Sequence, residues 1–359
     1  MSDEVLFHRL RVRLDEPVLA DVAGATDRAL ADCGVALAAG GEVAITIGSR
    51  GIRDLTTVVG RIVAWVRAQG ATPFLVPAMG SHGGATAEGQ RDVLAAYGFA
   101  DGWEGCAVRS SMDVVPVAGD HDLPVPIVTD AHAAAAAATI VVNRVKQHTD
   151  FHGPYESGLL KMVAIGLGKR VQAEALHAHG TRGLRELMPR VAEHVLANGN
   201  IVLGVAIVEQ AQDETMTVRA IPAADITAVE PALLDLARAH ATRLPIDDLD
   251  VLLIDRMGKD ISGVGIDTNV IGRVMIAGEP DPPTPRIGMI ACHELTPASH
   301  GNATGMGLAD VVTRRLADAV DHEITRTNVI TSGFLLRGKL PVVADDDRQA
   351  WEWCLRGAG

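Results

Sequence analysis

Apolar positions along the first half of the chain follow two spacings in turn, that of a strand and that of a helix. Val43–Gly48 is a largely β-branched run, and the next segment, Leu55–Gln69, has apolar residues at helical spacing. A second buried strand is predicted at Pro73–Met79, and a helix capped by Thr86 runs through Tyr97. Strands that alternate with helices in this way predict a parallel sheet covered by helices.

Later segments continue the pattern across a break in composition. The break lies at Arg243–Asp250, which contains Pro245 and three aspartates. Further strands are predicted at Thr139–Val145, Ile201–Glu209, Met216–Ile221, Val251–Ile254 and Ile287–Cys292. Further helices are predicted at Ala133–Ala138, Leu308–Val320, Glu323–Ser332 and Asp345–Arg356, and Asp54 is the predicted cap of the helix over 55–69.

The break predicts two domains of the α/β class, each with a parallel-type sheet flanked by helices, and a cleft between the domains. Residues 1–244 form the first domain, which carries most of the candidate chemistry. Residues 245–359 form a smaller domain that closes the cleft. The last helix is expected to pack back on the first domain.

Charge and apolar run length restrict the class of partner. The chain has 359 residues and a formal net charge of −13, which disfavours nucleic acid or an anionic membrane as a partner. No basic amino-terminal segment leads into an apolar signal stretch, and the run Ala133–Val142 is too short to cross a bilayer. We therefore expect a cytoplasmic protein that acts on a small molecule, alone or as a homo-oligomer. The cysteines have no paired spacing, so neither a zinc ribbon nor a disulfide framework is predicted.

Polar side chains with useful chemistry follow the ends of three predicted strands. Arg50 lies in a Ser-Arg-Gly turn, where a guanidinium can hold a carboxylate through two hydrogen bonds. His82 lies in the glycine-rich loop 80–84, and His148 lies in the polar cluster 146–150. Ligands of open parallel sheets bind beyond the carboxyl ends of the strands. These three groups are therefore expected on one rim of one sheet.

Lys161 lies within an otherwise uncharged apolar run, Ser157–Gly168. An ammonium in such surroundings is poorly hydrated, which lowers its pKa and leaves a fraction as free amine. A free amine can attack an electrophilic carbon, abstract a proton or anchor a cofactor. The alternative is a helical lysine whose stem packs on the core while its head reaches water.

Several histidines lie near this lysine in the sequence. His148 and His152 are separated by three residues, and a metal bound by both would take a third ligand from His177 or His179. The His-Glu-x-x-His motif of zinc proteases does not occur. A zinc-dependent hydrolase or lyase is one alternative interpretation of the cluster, and a non-catalytic metabolite-binding protein is another.

Two further segments offer cations and an amide to a ligand. The turn 166–170 is similar to a phosphate-binding turn, with Lys169 and Arg170 as the cations that follow its glycines. The glycine-rich loop 258–269 of the second domain follows a strand and offers Lys259 or Asn269 to a substrate.

Together these residues resemble the family of nickel-pincer-nucleotide-dependent lactate racemases, most clearly from Ser49 to His177. Ser-Arg50-Gly stands where the family has a Thr-Arg-Pro turn, and Gly-Ser-His82-Gly stands where it has a Gly-Thr-His-Arg loop. Lys161 in Ser-Gly-Leu-Leu-Lys matches the lysine of a Ser-Gly-Gly-x-Lys motif. His177 follows sixteen residues later, at the spacing of the histidine that binds nickel in the family.

The resemblance implies an isomerase, a racemase or epimerase of a 2-hydroxy acid or sugar acid that works by reversible hydride transfer. It implies a nickel-pincer nucleotide joined covalently to Lys161, with nickel bound by His177. Lys169 and Arg170 are then candidate contacts for the cofactor phosphate.

The resemblance also implies the groups that handle the substrate. Arg50 would hold the substrate carboxylate, and Lys259 or Asn269 would add a contact from the second domain. His82 and His148 are the implied acid–base pair. His152 competes with His148 for the second position.

Overall fold

The buried runs of the first half pair as strands. The computed structural model describes residues 8–14, 16–49 and 51–359. The strands of this half are β1 (Glu42–Ile47), β2 (Thr72–Pro77), β3 (Val114–Pro116), β4 (Val128–Asp130), β5 (Ala138–Arg144), β6 (Ile201–Glu209) and β7 (Thr215–Pro222). Five of them form a sheet in the order β2-β1-β5-β6-β7, parallel except for β7, while β3 and β4 form a separate antiparallel pair.

Helices pack on both faces of this sheet. They are α1 (Val22–Asp32), α2 (Leu55–Ala68), α3 (Ala87–Ala96), α4 (Ala131–Ala135), α5 (Leu159–Lys161), α6 (Lys169–His177), α7 (Gly180–Arg182), α8 (Met188–Asn198) and α9 (Ile226–Ala239). The π-helical turns Met162–Gly166 and Gly183–Leu187 continue α5 and α7, and 3₁₀ turns lie at Gly83–Ala85, Trp103–Gly105 and Ala223–Asp225.

The second half forms a smaller parallel sheet. Its strands are β8 (Asp248–Met257), β9 (Arg286–Leu295), β10 (Val311–Thr313) and β11 (Val342–Ala344), in the order β11-β10-β9-β8. Its helices are α10 (Thr268–Ile271), α11 (Arg314–Asp318), α12 (His322–Ser332) and α13 (Asp347–Ala358), with 3₁₀ turns at Pro297–Ser299, Met306–Leu308 and Leu335–Gly338. The prediction of an α/β fold with parallel sheets flanked by helices is confirmed.

Alternation of side chains along β1 explains why its apolar run is nearly continuous. Val43 and Ile45 pack with α2, which contributes Ile62, whereas Ala44 packs on the opposite face with Leu160 of α5. A parallel strand buried on both faces needs apolar residues at successive positions. The strand predicted for this run is confirmed.

Two predicted helices are wrong in part. The run Ala133–Ala138 is not one helix, because its last residue begins β5 and pairs with β1, which overrides the helix propensity of alanine. The segment Leu308–Val320 contains β10 before the short helix α11. Val311 and Val312 pair there with β9 and are buried.

The predicted cap at Asp54 is also wrong. Asp54 directly precedes α2, but its side chain makes no hydrogen bond to the first turn. Its carboxylate instead accepts a hydrogen bond from Thr215 Oγ1 at 2.7 Å, which links the start of α2 to β7.

The closing helix α13 packs on the second sheet, which corrects the expectation that it packs on the first domain. Ala350 and Cys354 are buried against Ala291 of β9 and Val311 of β10. Small residues on both surfaces let the helix approach the strands closely. The predicted boundary at 244/245 falls between α9 and β8, and the division into domains stays a prediction.

Candidate functional site

The order of strands in the first sheet reverses at β1. The chain passes from β1 to β2 on one side, and the later strands β5 and β6 lie on the other side. Open parallel sheets bind ligands in the crevice that such a reversal leaves beyond the carboxyl ends of the strands. A cleft of about 680 Å³ opens at this edge. Gly48 and Ser49 after β1, and Asn143 and Arg144 at the end of β5, line it.

The cleft brings together predicted site residues from both halves of the chain. His82, His148 and Lys161 line it from the first half, and Lys259 lines it from the second. His82 lies far before His148 and Lys161 in the sequence. The sheet topology gathers them.

Lys161 is half-buried at the end of α5 and lines the cleft. Its neighbours Leu159, Leu160 and Met162 are buried in the core, as the apolar run predicts. The π-helical turn Met162–Gly166 follows directly, and such turns occur often at functional sites. The helix thus anchors the lysine backbone in the core while the side chain borders the cleft.

A buried carboxyl group supports the start of this helix. Glu230 of α9 is 0% exposed and accepts a hydrogen bond from the Leu160 backbone N–H at 3.0 Å. Gly158 leaves the necessary space, because a Cβ there would lie 2.2 Å from Glu230 Oε1. Burial raises the pKa of Glu230 to about 7. The glycine of the Ser-Gly pair before Lys161 therefore has a packing function.

Glu230→Gln is expected to remove a pH dependence of stability. The ordinary pKa is 4.5 and the folded value is about 7, so between these values the folded state holds a proton that the unfolded chain releases. The contribution of Glu230 to the free energy of unfolding is fully present below the ordinary pKa. It is lost as the pH rises through the folded pKa, a change of about 3 kcal/mol. Urea denaturation at acidic and at mildly alkaline pH measures the change. Glu88→Gln, at an exposed position on α3, should keep the wild-type dependence, and an unchanged dependence in Glu230→Gln would contradict the assignment.

Residues 146–157, which we call the histidine loop, are held at their ends and from within. Two backbone hydrogen bonds of 2.8 and 3.2 Å join Lys146 to Ser157 and close the loop. Glu156 is 0% exposed and accepts from the His148 backbone N–H at 2.5 Å and from Arg238 at 2.6 Å. These bonds fix the backbone that carries His148.

The His148 ring is mostly buried. Its side chain is 14% exposed, and its Nδ1 accepts a hydrogen bond from the Asp150 backbone N–H at 3.1 Å. Burial, followed by the positive charge of Lys161, holds the pKa of His148 well below its ordinary range, although the Asp150 carboxylate opposes this. His148 is therefore a neutral imidazole at pH 7.

His82 is exposed on the loop after β2 and lines the cleft. Gly80 and Gly83 have φ values of 59° and 64°, which glycine adopts without steric cost. Gln90 of α3 is fully buried and donates to the carbonyls of Gly80 and His82 at 2.9 and 3.2 Å. The backbone of the loop is thus held from the protein interior while the imidazole stays accessible.

Lys169 does not lie where a phosphate ligand would need it, which corrects the predicted phosphate turn. It is 0% exposed, with Nζ at 3.0 Å from Asp130 Oδ2 and 3.2 Å from Gln90 Oε1. It also donates to the carbonyl of Pro77 at the end of β2. Because the amine is buried and bonded to these partners, a ligand cannot reach it. Through Gln90, Lys169 instead supports the loop of His82.

The structure also corrects the predicted ligand contacts of Arg170 and Asn269. Arg170 is exposed and pairs with Glu174 of the next helical turn at 2.6 Å. Asn269 Nδ2 donates to the His148 carbonyl at 3.2 Å. Within the described part of the chain, neither residue belongs to the lining of the cleft. Asn269 therefore holds the histidine loop, and Arg170 forms a surface ion pair.

His177 ends α6 and is an electrostatic neighbour of Lys161. The surrounding protein removes part of the water around His177, and this loss of hydration lowers the pKa of His177; the charge of Lys161 lowers it further. The residue as a whole is still exposed to solvent. His152, the competing candidate for the second base, is 41% exposed, with Nδ1 at 3.2 Å from Glu156 Oε1. His148 lines the cleft, whereas neither His152 nor His177 appears among the described lining residues, so the binding of nickel by His177 stays a prediction.

Arg50 lies outside the described residues, so its binding of a substrate carboxylate stays a prediction. Ser49 and Gly51, on either side of it, both line the cleft. Lys259 lines the cleft as well, and its Nζ donates to the Gly263 carbonyl at 2.8 Å and to Asn328 Oδ1 at 2.7 Å. Lys259 therefore orders its own loop at the mouth of the cleft.

A charge pair at the sheet edge was missed by sequence reasoning. Arg144, at the end of β5, forms an ion pair with Glu209, at the end of β6, and both line the cleft. Glu209 also accepts from the Arg53 backbone N–H at 2.7 Å. The available signal was opposite charges at the ends of two predicted strands, which become neighbours in a parallel sheet.

Within residues 8–14, 16–49 and 51–359, no three His, Cys, Asp or Glu side chains are grouped to hold a metal ion. Catalytic zinc usually takes three protein ligands. The zinc alternative based on His148, His152 and His177 thus has no such group among these residues. In the same part of the chain, no helix has the length and apolar character to cross a membrane.

Comparisons with known proteins give a likeness of structure and none of sequence. No protein-family model matches the chain, and no curated protein matches it. Among solved structures, the chain is similar to the lactate racemase apoprotein from Thermoanaerobacterium thermosaccharolyticum, at 11% identity and a TM-score of 0.49. The similarity covers 91% of this chain and 82% of that chain. The function is therefore argued below from the cleft and from the sequence motifs.

Proposed function

We propose that this chain is an isomerase that inverts the α-carbon of a 2-hydroxy acid or sugar acid by reversible hydride transfer. One arrangement supports this most: His82 lines the same cleft as His148 and Lys161, which lie far from it in the sequence, at the point where the strand order reverses. The sequence motifs around Lys161 and His177 add to this support, because they resemble those of nickel-pincer-dependent lactate racemases.

Lys161 borders the cleft and has two imidazoles, His148 and His177, in its electrostatic neighbourhood, which suits the attachment of a nickel-pincer nucleotide at this residue. Burial, and then the charge of Lys161, lowers the pKa of both His148 and His177, which favours the neutral form of each imidazole. A neutral imidazole is the form that binds a metal such as nickel. Lys161 would hold the cofactor covalently and His177 would bind its nickel. Lys169 and Arg170 take no part in this proposal, because their side chains are engaged elsewhere.

The chemical difficulty of the reaction is that the α-hydrogen beside a carboxylate is barely acidic. When bound, the cofactor supplies reversible hydride acceptance, which avoids a carbanion. Arg50 is proposed to hold the substrate carboxylate and so fix the α-carbon in position. His82 takes and returns the hydroxyl proton, and His148 faces the same oxygen from the histidine loop.

The proposal is tested by whole-protein mass spectrometry of protein produced together with the cofactor-making machinery. We expect a covalent adduct on the wild type that is lost in Lys161→Ala, because the proposed bond is to Nζ of this residue. Lys146→Ala is the matched control, since Lys146 is exposed, lines the same cleft and should leave the adduct in place.

An unmodified wild-type mass under these conditions contradicts the proposal. An adduct that persists in Lys161→Ala but disappears in Lys146→Ala would move the attachment to the other lysine. Stoichiometric zinc without an adduct would favour the hydrolase or lyase alternative.

A further inference from the structure

An arginine of the second half holds the histidine loop of the first half. Arg337 is 0% exposed, and its Nε donates to the Val274 carbonyl at 2.9 Å. One terminal nitrogen donates to the Thr149 carbonyl at 2.8 Å, and the other forms an ion pair with Asp150 Oδ1. A guanidinium presents several donors in one rigid plane, so a single side chain fixes all three acceptors. The backbone immediately after His148 is thus held from across the interface.

The position of the Asp150 backbone determines which nitrogen of His148 carries the proton. The Asp150 N–H points at His148 Nδ1 at 3.1 Å, and a backbone N–H can only donate. Nδ1 must therefore offer its lone pair, and the single proton of the neutral ring lies on Nε2. The nearest Asp150 carboxylate oxygen is 3.7 Å from Nδ1, too far to hold a proton there.

We propose that Arg337 is a positioning residue that fixes His148 as its Nε2–H tautomer, so that His148 donates a hydrogen bond to the substrate oxygen while His82 accepts the hydroxyl proton. The last step rests on the proposed function, whereas the tautomer rests on geometry alone. A hydroxyl group has one proton to donate and lone pairs to accept with. One donor and one acceptor in the protein complement it, and two proton acceptors would not.

The charges around His148 agree with a neutral donor. Burial, and then the charges of Lys161, Lys146 and His177, disfavour a second proton on the ring, whereas the Asp150 carboxylate favours one. A neutral ring with Nδ1 engaged cannot accept a proton at Nε2. His148 therefore polarises the oxygen and leaves the proton transfer to His82.

The tautomer is measured by nitrogen–proton NMR on the full-length, cofactor-free protein labelled at histidine. His148→Gln identifies the resonances of His148. We expect a protonated Nε2 and an unprotonated Nδ1 in the wild type at neutral pH. Arg337→Lys keeps the charge but cannot bridge three acceptors, so it should give a mixture of tautomers. Arg326→Lys, at an exposed position on α12, is the control and should leave the wild-type pattern unchanged.

A protonated Nδ1 in the wild type overturns the tautomer assignment. A folded Arg337→Lys with the wild-type pattern overturns the role of Arg337. Asp150→Asn weakens the same ion pair by removing the charge of its acidic partner. It is the variant to measure if Arg337→Lys does not fold. None of these spectra needs a bound cofactor, so a missing adduct at Lys161 would refute the isomerase and leave this result standing.

The donor role is tested in the loaded enzyme. Glutamine offers an N–H donor but is not a base, so His148→Gln should retain at least about tenfold more kcat than His82→Gln. Equal loss in the two variants would mean that His148 also transfers a proton, and would overturn the donor role.

Discussion

Replacing Lys169 with methionine is expected to lower the free energy of unfolding by about 3–5 kcal/mol, the usual cost of breaking a buried ion pair on one side. Lys169 and Asp130 both have side chains that are 0% exposed, and Nζ lies 3.0 Å from the carboxylate. Without the amine, the carboxylate stays buried without its counter-charge, and Gln90 and Pro77 also lose a donor. Guanidinium chloride denaturation followed by circular dichroism measures the difference from wild type.

Arg170→Met is the matched control for Lys169→Met. The sequence predicts both residues as phosphate contacts, but Arg170 is exposed and pairs with Glu174 of the next turn. Exposed pairs of this kind contribute less than about 1 kcal/mol, so this variant should be nearly as stable as the wild type. A Lys169→Met protein of wild-type stability that failed to hold the cofactor would reinstate the phosphate site.

His82→Ala is expected to lower kcat for inversion by about 10²- to 10⁴-fold, the usual contribution of a positioned acid–base group. His82 is exposed, so its removal should change stability by less than about 0.5 kcal/mol. The proposed adduct at Lys161 should remain. Polarimetry or chiral chromatography on a panel of 2-hydroxy acids measures kcat, and whole-protein mass measures the adduct.

Ser81→Ala controls for disturbance of the loop, because Ser81 is the exposed neighbour of His82. It should keep both activity and adduct. Full activity in His82→Ala would remove this histidine from the mechanism. Loss of the adduct in the same variant would instead assign His82 to cofactor binding.

The rim of the first sheet was predictable because it depends on local patterns. The runs that form β1, β2 and β5 end within a few residues of their predicted ends, and polar residues follow each of them. Parallel strands bring those residues to one edge without further information. His82 and His148 could therefore be assigned to one cleft from the sequence.

Long-range partners were not predictable. The turn 166–170 has the composition of a phosphate site, but the partners that bury Lys169 come from other segments: Gln90 is 79 residues away, and Asp130 belongs to β4. Arg337 and Asp150 are 187 residues apart, so no local pattern shows that one holds the other. Local spacing predicts which face of an element is apolar, but it does not specify the surface that this face will meet.

The short distance in sequence between Lys259 and Asn269 has an evolutionary consequence. One segment of the second half borders the cleft through Lys259 and, ten residues later, bonds to the carbonyl of His148 through Asn269. Remodelling this segment to fit a new ligand therefore shifts the backbone of His148 as well. Specificity and turnover in this chain are expected to drift together, and variants selected for one should carry compensating changes in the other.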